Sequence, residues 1–190
     1  INQKFAKELS AVVNMAQKIK ADGIHVYNSL PDEIVKNPKW QRHLQASRGR
    51  GYWFWKSALA NLLLANGTLQ DGDTLLYVDG DCASKLPQLK NLAKGATWDL
   101  AVDHQPRCEF IWTKGDLFEA FNTTCNDTHY GLTNQAKADV WVVRVNARTR
   151  RFLQLYEELV ADFHLVSDEK SRSPWLDSPW FHENRHDQSI

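Results

Sequence analysis

Apolar residues at Phe5, Leu9, Val12, Val13, Ala16 and Ile19 recur at intervals of three and four, which predicts an amphipathic helix over 3–21, closed by Asp22-Gly23. Ile24-His-Val-Tyr-Asn28 predicts a short strand. Ser29-Leu-Pro-Asp32 then has the residues of a helix start: Ser to cap, Pro for the first turn, Asp for the dipole. A second helical region follows and breaks near Asn37-Pro38. From Phe54 to Ala65 the chain is apolar on most sides, as expected of a helix buried between other elements.

Thr74-Leu-Leu-Tyr-Val78 is a continuous run of strand formers between Asp71-Gly-Asp73 and Asp79-Gly-Asp81, the pattern of a central strand covered on both faces. Beyond it, 85–95 reads as helix, 98–102 and 108–112 as strands, and 114–121 as a short helix. Val140-Trp-Val-Val-Arg-Val145 reads as a strand, and 147–163 as an amphipathic helix through Phe152, Leu155, Tyr156, Leu159, Val160 and Phe163. Strands alternating with helices, with no internal repeat, low-complexity tract or linker, predict one α/β domain over 1–190.

Apolar residues at 43% and charged residues at 24% exclude a disordered chain or a coiled coil. The 23 basic residues balance 23 acidic ones, so no global field draws the molecule to nucleic acid or an anionic membrane, and any anion site must be local. No apolar run is long enough to span a membrane. The chain opens on Ile1 inside a helical pattern and stops at Ile190 as another helix begins, so both ends are expected to be clipped. Cys82, Cys108 and Cys125 form neither a disulfide framework nor a C-x-x-C pair, which favours a reducing, cytoplasmic setting over a Golgi lumen. Eight Trp suggest that several rings line a cleft.

Candidate chemistry gathers at four places. Asp79-Gly80-Asp81 follows the best strand, and ligands of open α/β sheets bind beyond the carboxyl ends of strands. Two carboxylates one residue apart suit a hard divalent cation that also takes phosphate oxygens; a solvated turn is the plainer explanation for any isolated Asp-Gly-Asp. Arg48-Gly-Arg-Gly-Tyr52-Trp-Phe-Trp55-Lys56 sets cations and aromatic rings at a helix start, suited to phosphate and to bases or sugars, or else to a Trp-rich core wedge. His182-Glu-Asn-Arg-His186-Asp187-Gln188 concentrates titratable groups. Trp112-Thr-Lys114 closes a further predicted strand, so a ring and a cation could reach the same sheet edge.

Taken together, R-G-x-G-Y-W-x-W-K at 48–56, L-L-Y-V-D-G-D-C at 75–82, W-T-K-x-D-L-F at 112–118 and H-x-N-R-H-D-Q-S at 182–189 resemble a family of nucleotide-diphospho-sugar glycosyltransferases with the GT-A fold, found in polysaccharide gene clusters and large algal viruses. The resemblance implies a mainly parallel, Rossmann-like sheet flanked by helices, lacking its first strand. It implies metal-dependent transfer of a sugar from a nucleotide diphosphate donor, a UDP-sugar in the first instance, to a glycan hydroxyl. Asp79 and Asp81 would hold Mn²⁺ or Mg²⁺ against the diphosphate. Asp187 and Gln188, with His186, match residues near the anomeric carbon in retaining enzymes. Arg48, Tyr52, Trp55, Lys56 and Asp79 would then lie by the donor nucleotide, and Trp112 and Lys114 by the sugar or acceptor.

Two other classes share part of this pattern. A phosphohydrolase of the haloacid dehalogenase type also carries D-x-D after a buried strand, yet wants Thr or Val where this chain has Ala83. A non-catalytic sugar-binding module would be an antiparallel β sandwich rather than α/β.

Overall fold

The computed structural model describes residues 3–94 and 97–190. It is a mixed α/β fold around a three-stranded sheet in the order β1-β3-β2, where β1 is Thr74–Val78, β2 is Leu100–Cys108 and β3 is Asn134–Arg144. Both pairings are antiparallel, with Leu76 opposite Val142 and Ala101 opposite the same Val142. The mainly parallel sheet expected from the sequence is therefore not what the described strands form. Alternation along β1 explains the architecture: Leu75 and Tyr77 face one core, Leu76 and Val78 the other.

On the first face, Trp141 and Val143 pack against the helices Trp55–Ala65 and Ala147–Ala161, through Phe54, Ala58, Leu153, Tyr156 and Val160. Val143, Val160 and Val166 are fully buried, each contributing about 1.5–3 kcal/mol. On the second face, Val140 and Val142 meet Leu89 of the helix Leu86–Ala93 and Cys82. The helix Gln3–Lys18 lies over the 3₁₀ turn Gly80–Lys85 that follows β1. Asn146 caps the Ala147–Ala161 helix reciprocally with Thr149, a device worth about 1 kcal/mol.

Several local expectations need correction. Residues 24–28 form no strand: Ile24, Val26 and Tyr27 stay exposed and pair with no described strand edge. Ser29 caps nothing; Pro31 precedes the single turn Asp32–Val35 without a side-chain cap. The break at Asn37-Pro38 is present, with the Asn37 side chain accepting from the Lys39 amide before the 3₁₀ turn Pro38–Trp40. What reads as two strands at 98–102 and 108–112 is one strand, β2, followed by a helical turn at Glu109–Trp112. Register shifts between Val102 and Cys108 carry β2 through Pro106, which weakens its sequence signal. The Trp rings do not gather around a cleft. Trp40, Trp112 and Trp141 are buried, whereas Trp175 and Trp180 are each 75% exposed.

Candidate functional site

β1 ends at Val78, and its antiparallel ladder runs one residue further through the Asp79 amide to the Asp139 carbonyl. Asp79 thus leaves the sheet on the same face as Tyr77, whose hydroxyl donates to Asp79 Oδ1. Lys56, on the first turn of the Trp55–Ala65 helix, reaches this point from above. Its side chain is only 3% exposed, and its Nζ donates to the Ala138 carbonyl at 2.8 Å while lying 3.6 Å from Asp79 Oδ1 and 3.1 Å from Asp187 Oδ2. Three residues from three separated sequence motifs therefore meet at one end of one strand. Lys56 is a buried bridge between two carboxylates there, not a cation presented to solvent.

Asp187 is itself 6% exposed and lies in the 3₁₀ turn His186–Ser189 against β3. Burial pushes its carboxyl up to about 6, against the pull of Lys56, and Asp79 nearby adds to the rise. Lys56 Nζ gives its aligned hydrogen bond to the Ala138 carbonyl and stands at ion-pair distance from Asp187 Oδ2, to which no other described group donates. Tyr156 holds the turn from below, its hydroxyl donating to the Asp187 carbonyl at 3.2 Å. Burial first, and the neighbouring carboxylates second, hold the phenols of Tyr77 and Tyr156 well above their ordinary range, so both remain donors. Neither tyrosine stands out in sequence, because each occupies an apolar position of its strand or helix.

Arg48, Tyr52 and His186 form a second cluster. Arg48 Nη1 and the Tyr52 hydroxyl bind opposite oxygens of Asp168 at 2.9 and 3.1 Å. His186 stacks on Trp53 and donates through Nδ1 to the Val166 carbonyl at 2.8 Å, and burial lowers its pKa. Chain continuity at 186–187 joins the clusters. Between Arg48 and Phe54 the backbone takes a left-handed turn, with φ of 54°, 52°, 98°, 57° and 60° at Gly49, Arg50, Gly51, Tyr52 and Trp53. At Gly51 a Cβ would fall 2.7 Å from the His43 carbonyl, so only glycine fits. Non-glycine residues held left-handed store strain, about 1–2 kcal/mol each, and such strain concentrates at functional sites. The amides of residues 50–54 all bond to carbonyls of residues 47–51, so the turn does not offer them to a phosphate. Trp55 Nε1 is likewise turned inward, onto the Gly49 carbonyl.

Trp112 and Lys114 are not drawn to this point. Trp112 is 8% exposed, with the guanidiniums of Arg107 and Arg185 at 4.9 and 4.5 Å from its ring, which leaves no open stacking face. Lys114 is 1% exposed, and its Nζ donates to the carbonyls of His164, Ser167 and Glu169 at 2.7, 2.9 and 3.0 Å. It ties the loop after the turn Phe163–Val166 to the body of the protein. Gln188 instead joins an amide network missed in sequence, through Gln135 to Glu109.

Asp81 is exposed and turns towards the Gln3–Lys18 helix, lining a depression of about 470 Å³ with Lys7, Glu8, Ala11 and Met15. A depression of about 460 Å³ lies elsewhere, between Trp40, Asn61 and Gln154. Among the described residues no group of three His, Cys, Asp or Glu side chains could hold a metal by itself. The donor set is that of a cation shared with its ligand: an exposed Asp81, and an Asp79 that is 34% exposed with only Oδ1 engaged by Tyr77. Mg²⁺ in particular takes one or two protein carboxylates plus phosphate oxygens, so the donor chemistry of either carboxylate suits such an ion, although the two face different surroundings. No family model matches the sequence, and no curated protein or solved structure matches the chain.

Proposed function

We propose that this chain is a metal-dependent glycosyltransferase of the GT-A type, moving a sugar from a nucleotide diphosphate, in the first instance UDP, to a hydroxyl of a glycan. The observation that carries this reading is the meeting of Lys56, Asp79 and Asp187 at the end of β1. The three antiparallel strands do not match a mainly parallel GT-A sheet, so the reading rests on this meeting of side chains and not on the sheet.

Asp79 and Asp81 would hold Mn²⁺ or Mg²⁺, which supplies neutralisation of the charge building on a leaving diphosphate. Asp187 would act on the sugar. Its carboxylate is withdrawn from water and held by Lys56, so it is a fixed negative charge that can stabilise positive charge at the anomeric carbon with little reorganisation. Lys56 keeps Asp187 ionised at neutral pH and holds it in place. Only its resemblance to the Asp-Gln pair of retaining enzymes makes Asp187-Gln188 point to retention of anomeric configuration.

Calorimetric titration of UDP with and without Mn²⁺ tests this reading. Mn²⁺ is expected to tighten UDP binding by about tenfold or more, equivalent to about 1.4 kcal/mol. Equal binding in the presence of EDTA would overturn it.

A further inference from the structure

The amide network behind the Asp187 turn has a fixed polarity. Glu109 Oε2 accepts from Thr113 Oγ1 at 2.7 Å and from Gln135 Nε2 at 2.9 Å. Burial pushes the Glu109 carboxyl up while Thr113 and Gln135 pull it down; as a carboxylate it only accepts, so Gln135, fully buried, turns its amide nitrogen towards Glu109. Its oxygen then faces the other way and can only be met by donors. Gln105 and Gln188 both comply, each donating through Nε2 to Gln135 Oε1, at 2.5 and 2.7 Å. Gln188 is half-buried, and with its Nε2 given to Gln135 its Oε1 is the open end of the chain, to which no described residue donates.

We infer that Glu109 and Gln135 are positioning residues that lock the carboxamide of Gln188 with its nitrogen inward and its oxygen outward, so that the turn bearing Asp187 presents a hydrogen-bond acceptor to its ligand. The group recognised there is a donor, and on the transfer reading proposed above it is a hydroxyl of the sugar being moved. The lock does not depend on that reading. Glu109 starts the turn that follows β2, Gln135 stands on β3 and Gln188 on the 3₁₀ turn, so the relay also fixes three elements relative to one another. Replacing the carboxylate by an amide removes the enforced direction, because Gln at 109 can donate as well as accept and Gln135 is then free to reverse.

The test is hydrogen exchange of the glutamine side-chain amides in ¹⁵N-glutamine-labelled protein, followed by NMR. In the unmutated protein the Gln188 carboxamide should exchange about fivefold more slowly than a free glutamine, the ratio given by one hydrogen bond of ordinary net strength. Glu109→Gln and Gln135→Leu should each bring it towards the free rate, and Glu109→Asp, which keeps an acceptor only, should restore most of the protection. A free rate in the unmutated protein overturns the proposal even if the variants fail to fold. Protection unchanged in Glu109→Gln removes Glu109 from the relay, and protection unchanged in both variants overturns the relay as a whole. None of these readings involves UDP, so failure of UDP to bind would leave the lock standing and remove only the sugar hydroxyl as its ligand.

Discussion

Lys56 Nζ stands 3.1 Å from Asp187 Oδ2 in a site where both side chains are almost wholly withdrawn from water. Each charge is tolerated there because of the other. Desolvating two ions is costly, and a buried pair is weak evidence for net stability, but removing one partner strands the other.

Lys56→Met is therefore expected to destabilise the protein by about 3–5 kcal/mol, the usual cost of breaking a buried pair from one side. Urea denaturation of Lys56→Met beside the double variant Lys56→Met/Asp187→Leu checks it. The double variant should recover most of the loss, because no unpaired charge remains at that position. A loss of less than about 1 kcal/mol in the single variant would place Lys56 among solvated surface pairs.

Asp187 makes a prediction in pH. Its folded pKa, near 6, stands above the ordinary aspartate value of 3.8, so its contribution to stability is full below about pH 4 and is lost as the pH rises through 6. Asp187→Asn lacks this loss. Between pH 4 and pH 7 the stability difference between variant and wild type should move in the variant's favour by about 2.4 kcal/mol. Thermal melts across that range read it directly, and a flat difference would show an ordinary carboxyl at 187. On the transfer reading the same variant should abolish sugar transfer while leaving UDP affinity nearly unchanged.

Lys114→Met separates structure from ligand binding at a residue that looks like a sugar contact in sequence. It leaves two buried carbonyls and one partly buried one without their shared donor, and unfolding should be easier by about 2–4 kcal/mol on the scale of lost buried hydrogen bonds. The melting temperature should fall, and Mn²⁺-dependent UDP affinity in the folded fraction should not. Weakened UDP binding at unchanged stability would return Lys114 to the ligand.

How far these placements are legible in sequence depends on the range of the interaction. The helices at 3–18, 55–65 and 147–161 and the strand at 74–78 are written in local periodicity, which needs no partner to be seen. β2 is not, because its bulged, Pro106-containing half is held by pairing with β3 rather than by its own residues. The fold from 108 to 112 misleads because Cys108, Phe110 and Trp112 alternate as in a strand although Glu109 opens a helical turn. At the site, Asp79 is legible from its position after a buried strand. Lys56 is legible as a cation among aromatics but not as a buried one, since the carboxylate that neutralises it lies far along the chain. Tyr77, Tyr156, Glu109 and Gln135 act through that same kind of long-range contact, and a single sequence gives no sign of them.

The unequal cover of the tryptophans gives the protein a spectroscopic handle. Trp175 and Trp180 stand in water while Trp40, Trp112 and Trp141 are enclosed, so a collisional quencher such as iodide should extinguish a red-shifted fraction of the emission and leave a blue one untouched. Whatever settles over the segment around Pro174–Leu176 would announce itself as a loss of that quenchable fraction, without a label and without knowledge of the ligand.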